Sequence, residues 1–279
     1  VRYVPQSRYF QAQELSTRGY PLMCEQITQL NTHGSIELER VLDLQTGACT
    51  GPRTVPGLPG TMGIDYSEGR KHALALTYRL RRRAEELIAG IRRYAKTHAR
   101  DLLDVGPAEG KVLSHIQDAF SDMHCTGLEY AQELIDACTD ARLRMVQGDA
   151  MNPPFPDRSF DVVTASALIE HVADPQAFLR EIHRVLRPGG IILVTTPDPC
   201  FERIATAIGH LPPEDHQETM TLATLGTYLR GAGFEVLELQ KFMLSPWGCP
   251  GEATIERIIR ALGLHVLLLN QLAIGRKAG

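Results

Sequence analysis

The stretch DLLDVGPAEG, residues Asp101–Gly110, constrains the fold more than any other part of the chain. It opens with a short apolar run that ends in the β-branched Val105, and Gly106 and Pro107 interrupt that run at once. From Lys111 onward, apolar residues recur at helical spacing. The stretch therefore predicts a buried strand, a tight glycine turn and a helix. Such a turn lets a ligand approach the backbone closely and directs free N–H groups at it.

The residues that follow repeat this alternation of strand and helix, which predicts a sheet covered on both faces. The fold class is therefore α/β: a Rossmann-like, doubly wound, mostly parallel seven-stranded sheet with one antiparallel edge strand. Ligands of such sheets bind beyond the carboxyl ends of the strands. We predict strands at 102–105, 124–129, 144–147, 160–165, 190–196, 234–242 and 267–276, and helices at 66–97, 110–120, 131–141, 174–186, 221–232 and 252–262.

Two segments fall outside this pattern. Residues 1–63 are polar and rich in turn-forming residues, and we expect an extension that packs on the main domain, residues 64–279, or on a partner subunit in a homodimer. Residues 198–220 include HLPPEDHQETM and are predicted to form a lid or insertion. The many arginines of the helix at 66–97 form either a solvated face or a surface for an anionic partner.

The composition narrows the class of protein. The net charge is −4 and no basic face carries interleaved aromatic residues, so we expect no nucleic-acid partner. Six scattered cysteines without a CxxC pair favour a reducing, cytoplasmic location and argue against a zinc site. No apolar run is long enough for a membrane span. The consecutive residues 214–216 point in different directions, so no metal site is expected either.

Acidic residues are predicted at three successive strand ends: Asp104, Glu129 and Asp149. Glu129 lies 23 positions after Gly106, close to the offset at which an acid meets a ribose in nucleotide-binding units. A dinucleotide site is the first competitor, but the turn lacks the middle glycine, and Glu109 would repel a pyrophosphate. An acidic pocket suits a cationic ligand with a ribose, and S-adenosylmethionine has both.

The same stretches resemble class I S-adenosylmethionine-dependent methyltransferases, in particular the type 11-like small-molecule subfamily. LLDVGPAEG is similar to the first motif of that family and GLEYA to the acidic end of its second strand. The motifs GDA, FPDRSFDVV, EHVADP and LRPGG follow in the family's order. The resemblance is strong over 101–197, weaker over 221–277 and absent over 1–63. The triplet PAE departs from the more usual glycine-containing turn.

The resemblance implies a set of cofactor-binding residues. They are Asp104, Gly106, Pro107 and Gly110 at the methionine end, Glu129 on both ribose hydroxyls, Tyr130, Asp149 and Ala150 around the adenine, and Ala165 and Ser166 on the methyl-donating side. Several of these also have a purely structural interpretation. Asp104 can cap the turn, Glu129 can be a surface acid, Asp149 can form a turn and Ser166 can cap a helix.

The implied activity is transfer of a methyl group from S-adenosylmethionine to an oxygen, carbon or nitrogen of a small molecule by in-line displacement, with S-adenosylhomocysteine as product. His171 and His216 are the candidate bases, although each can equally be a structural or solvated histidine. The alternatives are a non-catalytic cofactor-binding or regulatory protein of the same fold and a nicotinamide-dependent oxidoreductase, which the turn disfavours.

Overall fold

The computed structural model describes residues 74–199, 201 and 220–279, which form one sheet with helices on both faces. The strands are β1 Asp101–Val105, β2 His124–Glu129, β3 Arg144–Gln147, β4 Phe160–Ser166, β5 Leu186–Pro197, β6 Phe234–Phe242 and β7 Asn270–Lys277. The helices are α1 Leu74–Tyr94, α2 Lys111–Ala119, α3 Gln132–Asp136, α4 Pro175–Val185, α5 Leu222–Gly231 and α6 Glu252–Ala261, with single 3₁₀ turns at Ile169–His171 and His265–Leu267.

The seven strands lie in the order β3-β2-β1-β4-β5-β7-β6. The first five are parallel, whereas β7 runs antiparallel to both of its neighbours. The predicted mixed, mostly parallel sheet is confirmed. The antiparallel strand lies one place in from the edge, because β7 inserts between β5 and β6. Strand order reverses between β1 and β4, and ligands of open α/β sheets bind at that reversal.

Two apolar cores cover the two faces of the sheet. Side chains alternate along each strand, so Leu103 and Val105 enter one core while Leu102 enters the other. Helices α4 and α5 close the first core with apolar side chains that include Phe178 and Leu225. Helices α1 and α2 close the second core. The turn after β1 therefore follows a strand that is packed against an apolar core on both faces of the sheet.

Two predicted boundaries are wrong for local reasons. Helix α3 ends at Asp136 instead of 141, because the Asp140 carboxylate accepts from the backbone N–H of Arg142 at 3.1 Å and organises a turn instead. Strand β5 begins at Leu186 instead of 190, with a shift of register opposite β4. Arg187 lies at that shift and pairs with Asp161 at 2.9 Å.

The arginines of α1 contact other residues of the protein. The guanidinium of Arg82 pairs with Glu86 at 2.9 Å and with Glu256 of α6 at 3.1 Å. Arg93 reaches Glu238 of β6 at 3.5 Å. These pairs favour the interpretation of the arginine-rich helix as a structural face over that of a surface for an anionic partner.

Several predictions fall on residues that the structure does not describe. The extension at 1–63, the start of the predicted first helix and nearly all of the predicted lid, including His216, lie outside the described residues. Within the described part, no helix is long and apolar enough to cross a membrane. The same residues contain no group of three metal-ligating side chains.

Candidate active site

The turn after β1 has three residues in the left-handed region. Gly106, Ala108 and Gly110 have φ angles of 71°, 51° and 81°. The Gly106 N–H donates to the Leu128 carbonyl at 2.9 Å, which ties the turn to β2. L-residues with side chains rarely adopt such angles. The two glycines therefore follow from the backbone geometry, whereas Ala108 is held there by its surroundings.

Replacing Gly106 with Ala tests how tightly the turn is built. A Cβ at this position would lie 3.0 Å from Leu168 Cδ1 as well as on a left-handed backbone. Gly263 has a similar φ of 73° but open space around it. We therefore expect Gly106→Ala to lower the free energy of unfolding by about 2 kcal/mol and the control Gly263→Ala by about 1 kcal/mol. Urea unfolding measures both, and equal losses would show that crowding contributes nothing.

Glu129 is the centre of the site. Its side chain is buried at the end of β2. One carboxylate oxygen accepts from the N–H of Ala108 at 3.0 Å, and the other accepts from the N–H groups of Tyr130 at 2.8 Å and Ala131 at 3.1 Å. A carboxylate offers about four lone-pair sites. The three backbone N–H groups occupy three of these lone-pair sites, which leaves one site for a ribose hydroxyl. A second ribose hydroxyl can bind to the carboxylate only if it shares a site with a backbone donor.

A cavity opens beside Glu129, between the turn after β1 and the loop that follows β3. We call it the Glu129 cavity. Glu129 is its one charged lining residue among the described residues, and no lining side chain is basic. That composition suits a ribonucleoside without phosphate groups. The lining residues are Gly106, Ala108, Leu128, Glu129, Tyr130, Ala131, Leu134, Gly148, Ala150, Ala167 and Leu168.

The structure brings together four of the residues predicted to bind the cofactor. Gly106, Glu129, Tyr130 and Ala150 all line the Glu129 cavity. The other six do not line it, and their cofactor contacts remain predictions. These six are Asp104, Pro107, Gly110, Asp149, Ala165 and Ser166.

Asp104 lies inside β1, on the side of the sheet that faces α1 and α2, and is almost completely buried. Its Oδ1 accepts from the Thr164 hydroxyl at 2.7 Å, and Oδ2 has no hydrogen-bond partner. Burial raises the pKa of this carboxyl to about 7, against the lowering effect of Thr164 and with a smaller contribution from the charge of Glu129. An unpaired buried oxygen costs free energy unless a donor reaches it, so Asp104 fits a cationic group.

Asp149 and Ser166 have structural hydrogen bonds. The Asp149 carboxylate is exposed and accepts from the N–H of Met151 at 2.8 Å, which makes it a turn former. The Ser166 hydroxyl lies 3.1 Å from the Thr195 hydroxyl of β5. These bonds support the structural interpretation of both residues, although the Asp149 side chain keeps an unused oxygen beside Ala150.

His171 ends the 3₁₀ turn between β4 and α4 and is half-buried. Its backbone N–H donates to the Leu168 carbonyl at 2.9 Å. Leu168 lines the Glu129 cavity, so His171 lies three residues from it. The structure thus keeps His171 on the segment that borders the site.

Sequence reasoning missed several residues of the site. Ala108 donates to Glu129, and Leu134, Ala167 and Leu168 complete the cavity wall. Ordinary apolar residues of this kind carry no motif. Thr164 had a signal: it is a polar residue in the otherwise buried run FDVVTA, and buried polar groups are normally hydrogen-bonded.

Known proteins match this chain over much of its length. A family model described as a methyltransferase domain matches residues 78–239, more than half of the chain. A probable S-adenosylmethionine-dependent methyltransferase of Mycolicibacterium smegmatis is 34% identical over 192 residues, which cover 67% of this chain and 65% of that protein. The malonyl-[acyl-carrier protein] O-methyltransferase of Dechloromonas aromatica is 29% identical over 201 residues, 71% of this chain and 72% of that protein.

The fold is also found in solved structures. A S-adenosylmethionine-dependent methyltransferase of Thermotoga maritima superposes with a TM-score of 0.54 at 18% identity, covering 76% of this chain and 95% of that one. That likeness shows the fold alone, whereas the family match extends through the turn after β1 and the end of β2. The chain belongs to the class I S-adenosylmethionine-dependent methyltransferases, as its motifs predicted, and S-adenosylmethionine is the cofactor of that family.

Proposed function

We propose that this protein transfers a methyl group from S-adenosylmethionine to a small-molecule acceptor by in-line displacement. One observation carries the proposal: the buried Glu129 carboxylate faces a cavity that no basic side chain of the described residues lines. A ribose hydroxyl can donate to its unused lone pair, and Tyr130 lies beside it to cover the adenine. Among the residues that the structure describes, no basic side chain lines the cavity to bind a pyrophosphate, which disfavours a nicotinamide cofactor.

When bound, S-adenosylmethionine supplies an electrophilic methyl group on a sulfonium. The protein's own part is alignment and exclusion of water. The backbone donors of Ala108, Tyr130 and Ala131 fix the Glu129 carboxylate before the ribose arrives. Asp104 offers its unpaired oxygen to the α-amino group, and this contact neutralises a charge that is otherwise costly to bury.

The acceptor is proposed to be a hydroxyl, an acidic carbon or an amine of a small molecule. A hydroxyl acceptor needs a base near neutral pH. His171 is the candidate among the described residues because its segment borders the Glu129 cavity. One relative is by its name an O-methyltransferase of malonyl-[acyl-carrier protein], so acids belong in any acceptor panel. His216, in the segment outside the described residues, stays a second candidate.

A cytoplasmic location, a small-molecule rather than nucleic-acid acceptor and a homodimer through residues 1–63 are part of the same proposal. The net charge of −4 and the scattered cysteines support the first two. Light scattering on the full chain tests the third, and a monomer at all concentrations would contradict it.

Two measurements test the proposed function. Calorimetric titration should show binding of S-adenosylmethionine and S-adenosylhomocysteine and none of NAD. An acceptor panel of phenols, acids, amines and acidic carbons should then give S-adenosylhomocysteine with at least one compound. Tight NAD binding would contradict the cofactor assignment. Cofactor binding without turnover on any acceptor class would favour the non-catalytic alternative.

A further inference from the structure

The connection between β6 and β7 carries a concentrated apolar surface. Seven of the eight large apolar side chains that are exposed among the described residues lie in this one connection. Leu262 and Val266 are each 67% exposed. We call this set the α6 apolar surface: Trp247, Ile255, Ile258, Leu262, Leu264, Val266 and Leu267. A soluble domain rarely leaves so many large apolar side chains of one connection exposed without a binding role.

Helix α6 differs from the usual amphipathic helix because it buries its carboxylates and exposes two of its isoleucines. Its carboxylates face inward: Glu256 is 0% exposed and Glu252 is also buried. Two of the three isoleucines point outward: Ile258 is 53% exposed and Ile255 is exposed as well, whereas Ile259 is buried. Surface helices of soluble domains bury the apolar stripe and expose the charged one. The reversal indicates that the outer face of α6 meets an apolar environment.

Polar contacts hold α6 in this orientation. Arg82 of α1 binds Glu256 at 3.1 Å. Glu252 accepts from the Tyr78 hydroxyl and, at 2.8 Å, from the N–H of Leu244. A rotation of α6 that buried Ile255 and Ile258 would break these bonds. The carboxylates of α6 and the Arg82 guanidinium would then lose their partners, which costs free energy. The exposure of the α6 apolar surface is therefore built into the fold.

Residues 243–269 carry two arginines and two glutamates, so their formal charges cancel, and the formal charge that is exposed there is that of Arg257. Glu252 and Glu256 are the carboxylates of residues 243–269, and both are buried. Arg257 and His265 are exposed among the apolar side chains. Leucine, isoleucine and tryptophan flanked by arginine and free of exposed carboxylates are typical of helices that lie in the interface of an anionic bilayer.

We propose that the α6 apolar surface binds the surface of a phospholipid bilayer that carries anionic headgroups. Phe242 ends β6 and Asn270 begins β7, so the connection between them lies at the carboxyl edge of the sheet. The turn after β1 lies at the same edge, because β1 and β6 run in the same direction. The α6 apolar surface therefore belongs to a connection at the same end of the strands as the Glu129 cavity.

Co-sedimentation of the full chain with vesicles tests the proposal. Phosphatidylcholine vesicles containing phosphatidylglycerol should bind the protein, and added salt should weaken the binding. The double variant Leu262→Glu/Val266→Glu should lower the partition coefficient on the order of tenfold. The matched control Ala223→Glu/Thr227→Glu adds the same two carboxylates to exposed positions of α5 and should bind like the wild type.

Three results would overturn the proposal. They are no binding to anionic vesicles, equal binding of the Leu262→Glu/Val266→Glu variant, and equal binding to pure phosphatidylcholine. A concentration-dependent dimer that this variant dissociates, in a protein that ignores vesicles, would assign the surface to a second copy of the chain instead. Vesicle binding is measured without cofactor or acceptor, so its outcome does not depend on the methyl-transfer proposal.

Discussion

Replacing Glu129 with Ala is expected to lower the affinity for S-adenosylmethionine on the order of 100-fold. The substitution removes a charge-assisted bond to the ribose, and such bonds contribute about 1.5–3 kcal/mol. In the wild type, the N–H groups of Ala108, Tyr130 and Ala131 order the turn by donating to the same carboxylate. The substitution removes this acceptor. In the variant, part of the free energy of cofactor binding is therefore lost in ordering that turn. Isothermal titration measures the loss directly.

Glu129→Gln separates the two contributions. The carboxylate accepts on both oxygens, so an amide must direct its NH₂ group at one set of backbone donors. We expect a loss on the order of tenfold for Gln, since one oxygen still accepts. Glu133→Ala, an exposed position on α3, is the matched control and should bind like the wild type. Unchanged affinity in a folded Glu129→Ala protein would refute the ribose role.

The Glu129 prediction shows what the sequence could supply. The glycine turn, the strand periodicity and the acid after β2 are local patterns, and their physics acts within a few residues. They were enough to predict the sheet, the turn and two residues that line the cavity, Gly106 and Glu129, whereas Tyr130 and Ala150 were implied by the resemblance to the methyltransferase family. The three N–H groups around Glu129 were not predictable in this way, because Ala108 reaches Glu129 across 21 residues only after β1 and β2 have paired.

Long-range charge pairs explain what sequence reasoning missed. Periodicity predicted α6 correctly but not which face it buries. Ile255 and Ile258 would normally point inward, but the contact of Glu256 with Arg82, 174 residues away, keeps both at the surface, and of the three isoleucines Ile259 is the buried one. Similarly, β5 begins at Leu186 and not at 190, and Arg187 contacts Asp161 of the neighbouring strand in this early part of β5. Such contacts act between elements that are far apart in the chain, where a single sequence carries little signal.

Asp104 should make the stability of the protein fall as the pH rises from about 4 to about 7. Burial raises the pKa of its carboxyl from the ordinary 3.8 to about 7 in the folded state. In this window the unfolded chain releases the proton and the folded protein keeps it. The folded state thus binds more protons, so the free energy of unfolding decreases with pH. The full difference corresponds to about 4 kcal/mol and is reached above pH about 7.

Asp104→Asn removes the titration, so the difference between the wild-type and variant curves isolates this one group from all others. Thr164→Val keeps the carboxyl but deletes the hydroxyl that donates to Oδ1 at 2.7 Å. It should therefore raise the pKa of Asp104 further and extend the window upward. Urea unfolding at a series of pH values measures all three proteins. Parallel curves for the wild type and Asp104→Asn would show that the carboxyl titrates normally.

The same carboxyl should govern the pH dependence of cofactor binding. If the ionised Asp104 meets the α-amino group, the affinity for S-adenosylmethionine rises up to about tenfold per pH unit below pH about 7 and levels off above it. Asp104→Asn should bind more weakly and without that slope. A wild type whose affinity ignores pH in this window would leave Asp104 a structural partner of Thr164. The stability curve would still fall, because it depends on burial and not on the ligand.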